Sequence, residues 1–193
     1  MATRVACCPM LKVCSFIASS VLIGIGLPTW LSPNPIAATQ DKAAGAEARL
    51  RELNIDLPPV AKPANTFVST VRVGDMVYVS GTGPSKGTVG RLGQDYDVAK
   101  GKAAARDVGL HVLAAVKAEL GSLDKVQRLV KTLGMVNATP DFKDHPKVIN
   151  GFSDLMVEVF GEVNGKGARS AVGMGSLPGG IPVEIECIFQ VKK

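Results

Sequence analysis

GARSAVGMGSLPGGIPVEIECIFQV, Gly167 to Val191, decides how this chain folds. It holds two apolar runs around a Gly/Pro segment. Glycine there supplies unusual backbone angles and proline fixes one, so the segment turns the chain. Side chains alternate across a strand. In the second run Val183, Ile185, Cys187, Phe189 and Val191 therefore share one side, and Glu184, Glu186, Ile188 and Gln190 share the other. The first set is a core face; the second faces water or a neighbouring subunit. In the first run Arg169, Ala171 and Gly173 share a side, and the two small residues leave space beside the guanidinium. If the strands lie near each other, Arg169 and Glu184 flank one cleft. A guanidinium fork matches a planar carboxylate with two parallel hydrogen bonds, and a nearby carboxylate orients a water or exchanges a proton. The alternative is structural, with Arg169 bridging Glu184 or Glu186 as charged strand residues do. Spacing alone leaves both open and leans to the ion pair.

Outward from this stretch, 193 residues give room for one domain of ordinary size and an appendage. The apolar content of 46% against 20% charged residues is globular composition. Residues 1–40 differ from the rest. Arg4 and Lys12 precede the apolar run Cys14–Leu27, no acid occurs, and small or helix-breaking residues follow. That is the pattern of an export leader, cleaved or kept as an anchor; the run is short for a spanning helix, which needs about 20 apolar residues. The expectation is a periplasmic or secreted protein, with a transit peptide and a cytoplasmic or organellar location as the alternative. Without the leader's two cations, the net charge of +5 falls to +3. This mild excess argues against a nucleic-acid partner, which calls for a clustered basic face. Cys7, Cys8 and Cys14 lie in the leader, so Cys187 is alone in the body and no disulfide framework is available. No His/Cys spacing suggests a metal.

Residues 41–64 read as a lead-in. Ala46–Ile55 predicts a short helix with Leu50 and Leu53 on one side, followed by a proline-rich link. From residue 65 to 193 the pattern is that of a domain. Phe67–Val73 and Met76–Ser80 are strand-like runs around the hairpin signal Gly74-Asp75. The Gly-rich loop Ser80–Gly93 lacks phosphate-loop spacing. Asp97–Leu120 is the clearest helix, with a stripe of Ala99, Ala103, Arg106, Leu110, Leu113, Ala114, Lys117 and Leu120, ended by Gly121. Lys100, Lys102 and Arg106 read as a solvated face. Lys125–Val136 is a strand. A second helix starts at Asp144-His145-Pro146, a capping acid and a first-turn proline, and buries Val148, Phe152, Leu155, Met156 and Val159. The order β-β-α-β-α-β-β predicts an α+β domain with two helices on one face of a mixed sheet. Covering the other face calls for oligomerisation.

Ala168–Ile188, together with Val79–Pro84 and Pro146–Gly161, resembles the Rid family of reactive intermediate deaminases, also called YjgF or L-PSP endoribonuclease-like. The similarity covers roughly Phe67 to Val191, and the lead-in resembles a longer, less characterised branch. The resemblance implies a chorismate-mutase-like α+β fold, a homotrimer with clefts between subunits, and hydrolysis of enamines and imines of the 2-aminoacrylate type to 2-keto acids and ammonia. It implies no cofactor, a small imine or keto-acid ligand, and no stable membrane partner unless the leader is retained. By position, Arg169 would grip the substrate carboxylate and Glu184 would hold or activate the attacking water. Ser80, Gly81, Asn150, Phe67 and Ala171 would line the pocket. Phe67 stands where tyrosine is common, Ala171 where cysteine is, and Thr82 where glutamine is. These departures imply a more apolar or altered pocket, or reduced activity. The rival readings are a non-catalytic carboxylate-binding protein of the same fold, and an endoribonuclease.

Overall fold

The computed structural model describes residues 45–60 and 66–193. The expected leader, and with it the question of export, lies outside the described residues. Period-two and helical stretches alternate along the chain as their sequence periods require. Helix α1 spans Ala46–Glu52, strands β1 and β2 span Thr70–Val73 and Met76–Thr82, and helix α2 spans Val98–Leu120. Strand β3 runs Val126–Asn137, helix α3 His145–Gly165, strand β4 Ala168–Met174 and strand β5 Val183–Val191. These strands form one mixed sheet in the order β1-β2-β5-β3-β4. Only the β3–β4 pair is parallel; the other three pairings are antiparallel.

The alternation in β5 behaves as its residues demand. Val183, Ile185, Cys187, Phe189 and Val191 are all buried, while Glu186 is exposed and Glu184 is half-buried on the opposite face. The two runs of the Gly167–Val191 stretch are not neighbours, however. β4 is held beside β3 as a parallel edge strand, and β5 enters between β2 and β3. Twelve-residue β3 thus separates the two strands.

Helices α2 and α3 cover one face of the sheet. Asp97 caps α2 by accepting from the Lys100 amide at 2.8 Å, and Gly121 ends it in the left-handed conformation at φ 79°. Leu113, Ala114 and Leu120 of the expected α2 stripe are buried, but in the first half of the helix Gly101, Ala104, Ala105, Val108, Gly109 and Val112 are buried in place of Ala99, Ala103 and Arg106. Alanines occur on both sides of this half, so apolarity alone gave the wrong phase there. The stripe is set by glycines that meet Val148, Phe152 and Leu155 of α3. The closest approach is at Gly151, where a Cβ would overlap the carbonyl oxygen of Lys102. All five predicted core residues of α3 are buried. Asp144 precedes α3 but makes no capping hydrogen bond; its carboxylate pairs with Lys147 at 2.9 Å instead.

Helix α1 belongs with the domain. It ends in a Schellman turn, with Asn54 at φ 51° and the Ile55 amide donating to the Leu50 carbonyl at 2.9 Å. Leu50 is buried as expected, but Leu53 caps the helix and is exposed. Glu47 ties the element down, accepting from Lys117 Nζ at 2.7 Å and from the Leu123 amide at 3.0 Å. Burial alone would raise the Glu47 carboxyl, yet these hydrogen bonds and the Lys117 charge outweigh it and hold it below its usual 4.5.

Substituting Gly151→Ala forces backbone apart and is expected to destabilise the protein by about 1–3 kcal/mol, the usual range for overpacking; an unchanged urea midpoint would contradict the contact. The Glu47 anchor contributes fully above 4.5 and is lost as pH falls through the depressed folded value. Glu47→Gln should therefore lower the melting temperature at neutral pH, and the gap to the unsubstituted protein should close on acidification.

Candidate functional site

Arg169 lies on the β4 edge, paired in register with Thr132, which pairs in turn with Cys187. Thr132 and Cys187 are buried, so this row points to the helix side of the sheet. The guanidinium reaches α3, where Nη1 donates to Asn150 Oδ1 at 2.8 Å and to Ser153 Oγ at 3.0 Å. Both acceptors are neutral. Among the described residues Arg169 has no carboxylate partner, and its Nε and Nη2 donors are left for something else. The structural ion pair with Glu184 or Glu186 does not form. Asn150, which the resemblance implies as a pocket residue, lies beside Arg169. Ser153 was missed because its only signal is its position one helical turn beyond Asn150 on the same side of α3, which requires knowing that the helix lies along β4.

Glu184 sits elsewhere. It pairs with Met135, which pairs with Val172, a row on the face that the helices leave open. Within one chain Arg169 and Glu184 therefore occupy opposite faces and do not flank one cleft. The Glu184 carboxylate rests on Gly81, where a Cβ would overlap Oε1. This is a close approach that only glycine allows. Gly81 is there because β2 bulges: Ser80 and Gly81 together oppose the single residue Glu186 between the Val79–Cys187 and Thr82–Ile185 pairs. Desolvation raises the Glu184 carboxyl above its usual 4.5, and the neighbouring Glu186 charge raises it further.

Ser80 donates its hydroxyl to the Val68 carbonyl at 2.7 Å, which leaves its oxygen free to accept. Its cleft on the open face also holds Tyr78, Lys131 and Glu186. Phe67, 52% exposed, flanks a cavity with Gly81 and Thr82. Thr82 donates its hydroxyl to the Ser80 carbonyl at 2.9 Å. Ala171 is half-buried and packs on the core beside the Arg169 row.

One chain thus carries two half-sites. Arg169, Asn150 and Ser153 form one at the β4 edge; Glu184, Gly81, Ser80 and Phe67 form the other toward β2. The open face between them mixes exposed Val71, Val73, Tyr78 and Val172 with Lys131, Glu184 and Glu186.

Residues 47–180 match the model of the family described as "YjgF/chorismate_mutase-like, putative endoribonuclease". Protein TCP17 of Trypanosoma cruzi is 42% identical over 148 residues, which cover 75% of this chain and 92% of that protein. The crystal structure of Atu1372, a protein of unknown function from Agrobacterium tumefaciens, is 39% identical and superposes with a TM-score of 0.69 over 77% of this chain and 94% of its own. A protein from Shewanella oneidensis with the same endoribonuclease description is 28% identical, with a TM-score of 0.73 over 77% of this chain and all of its own. Sheet order, helix placement and sequence agree with one conclusion: this chain is a member of the YjgF/chorismate mutase-like family.

Proposed function

We propose that the protein hydrolyses reactive enamines and imines derived from amino acids, of the 2-aminoacrylate type, to 2-keto acids and ammonia in clefts between subunits of a homotrimer. The observation that carries this reading is the Arg169 guanidinium, braced by Asn150 and Ser153 yet free of any carboxylate of its own chain. A preorganised fork with spare donors is a receptor for a planar anion. Fixing the substrate carboxylate places the adjacent imine carbon, and orientation of that kind is a large part of catalysis.

In the proposed reaction the enamine takes a proton on its terminal carbon and becomes an imine. A protonated imine carbon is electrophilic, so no cofactor is invoked. Glu184 takes a proton from the attacking water as its oxygen bonds to that carbon. Glu184 returns that proton to the nitrogen of the resulting amino alcohol, the C–N bond breaks with its electron pair leaving on ammonia, and ammonia takes the hydroxyl proton as the carbonyl forms. One water and one proton are consumed for each keto acid and ammonium ion. Desolvation of Glu184 against Gly81 suits this duty, because it brings the carboxyl closer to the pH at which it works.

The subunit arrangement follows from the two half-sites. They lie on opposite faces of one sheet, so a complete site needs the β4 edge of one protomer against the β2–β5 region of the next. Burial of the exposed valines and Tyr78 favours that association. The ribonuclease reading gains nothing from the helices: Lys102, Arg106 and Lys117 are neutralised by Asp154, Glu158 and Glu47 at 2.6–2.7 Å.

The test adds the protein to an amino-acid oxidase reaction and follows loss of the imine. Arg169→Ala is expected to cut the acceleration by about 100-fold or more, with Arg169→Lys intermediate because it keeps the charge and loses the fork. If the unsubstituted protein fails to accelerate the loss, yet keto acids bind and raise its melting temperature, it is a carboxylate-binding protein. RNA cleavage that survives Arg169→Ala would overturn the assignment.

Glu184 works as the carboxylate, so kcat/KM should rise with pH along an acid limb centred above 4.5. Glu186→Gln removes like-charge repulsion and should move that limb to lower pH. Glu184→Gln should erase it, with a loss of about 100- to 10,000-fold. A limb centred at or below 4.5 would refute the role given to Glu184.

A further inference from the structure

We infer that the cavity at the far end of β4, walled by Arg91, Lys143 and His145, is a binding site for a tetrahedral oxyanion of the phosphate class. It is independent of the reaction proposed above. Gly173, on its wall, lies four residues along β4 from Arg169, about 13 Å at the usual rise of a strand. Three separate segments converge here. Arg91 comes from the loop between β2 and α2, Lys143 from the loop between β3 and α3, and His145 opens α3. The cavity measures ≈ 250 Å³. Pockets for drug-sized ligands start at about 300 Å³, so this one suits a small ion or a headgroup.

Every ionisable side chain on the wall is basic, and no carboxylate lines it. The acids closest in sequence, Asp95, Asp141 and Asp144, stand outside the lining. Asp95 accepts from the Arg91 backbone amide at 3.0 Å, and Asp144 pairs with Lys147 at 2.9 Å. Neither Arg91 nor Lys143 makes an ion pair among the described residues. Lys143 Nζ spends one of its three donors on the Pro140 carbonyl at 2.9 Å. Arg91 is fixed through Nη2, which donates to the carbonyls of Ala138 at 2.9 Å and Gly175 at 3.5 Å. Its Nη1 has no hydrogen bond among the described residues, and its Nε is buried without a partner. A half-buried guanidinium with an unpaired buried N–H and no carboxylate is costly to keep, and a bound anion offsets that cost.

His145 is held in place by shape. Its ring meets Phe142 edge-on, with centroids 5.3 Å apart and planes at 82°. Its Nε2 occupies the space that a Cβ on Gly173 would fill. Burial pushes the imidazole below its usual 6.5, the Lys143 charge pushes it further, and Asp144 pulls the other way by less. The ring therefore senses more positive than negative charge, which is the field that attracts an oxyanion. A planar carboxylate is satisfied by two donors in its own plane. Donors that arrive from three segments match the oxygens of a tetrahedral ion instead.

The test follows the ring protons of His145 by NMR in the full-length protein, which has two histidines, and measures anion binding by calorimetry. Sulfate and phosphate should each move the His145 titration to higher pH and bind at least tenfold more tightly than acetate. Sulfate keeps its double charge throughout, so its affinity should rise as pH falls through the His145 titration and the ring becomes a third cation. Arg91→Gln should weaken sulfate binding at least tenfold. Lys143→Gln, at an exposed position that leaves the fold intact, should weaken it at least fivefold. Lys147→Gln, on the first turn of α3 but outside the cavity, should change it less than twofold. Glycerol 3-phosphate binding more tightly than phosphate would identify a monoester headgroup as the occupant, and weaker binding a free ion. Absence of sulfate binding, acetate binding as tightly as sulfate, an unmoved His145 titration, or equal losses from Lys143→Gln and Lys147→Gln would overturn the site.

Discussion

The alternation of β5 is the constraint on which the molecule turns. Placed between β2 and β3, this strand is flanked on both sides and has no free edge. Its five buried side chains leave no room for a shift in register, since a slip by one residue would carry both carboxylates into the core and the aliphatic row into water. Glu184 and Glu186 are thereby fixed on the open face. That placement, more than any local feature of the acids, determines what Glu184 meets. The β2 bulge then supplies its counterpart, because two residues opposite one bring the bare backbone of Gly81 against the carboxylate.

A second constraint operates at the other end of the sheet. β4 is an edge strand, and edge strands tolerate exposed polar side chains on both faces. Arg169 is usable there because α3 passes close enough for Asn150 and Ser153 to brace one guanidinium nitrogen. The position of α3 depends on its contact with α2 at Gly151, and that contact depends on the absence of a Cβ. Helix spacing thus reaches Arg169 through the helix that carries its two acceptors. The bidentate pair of Arg106 with Glu158, 3.0 and 2.6 Å, spans the same two helices and adds a polar clasp outside the glycine contact.

Most of the architecture was legible in the sequence, for a physical reason. Strand and helix periods are local, so element order, the face of β5 and the buried side of α3 followed from short windows. The phase of the first half of α2 did not, because alanine is neutral to burial and only the partner helix reveals which glycines are in contact. The neighbours of β4 and β5 were also out of reach, since pairing across a sheet is set by the crossover through α3 rather than by the turn between the strands. That one non-local fact separated Arg169 from Glu184 and brought Ser153 into play. Asn150 was singled out through family resemblance, and that it braces Arg169 became visible only with α3 laid along β4.

The separation of the two half-sites also bears on symmetry. The Arg169 edge and the Glu184 face are different surfaces, so they can be joined by a two-fold pair that exchanges both contacts or by head-to-tail contacts in which each protomer offers its edge to the next and receives an edge in turn. Head-to-tail contacts either close into a ring or propagate as a filament. Closure removes every exposed β4 edge and buries every open face at once, which a single pairing of one edge with one face cannot do. In the proposed trimer each cleft then contains one guanidinium and one acid from different chains. On the proposed reading, a chain that failed to assemble would leave Arg169 and Glu184 on opposite faces of its own sheet.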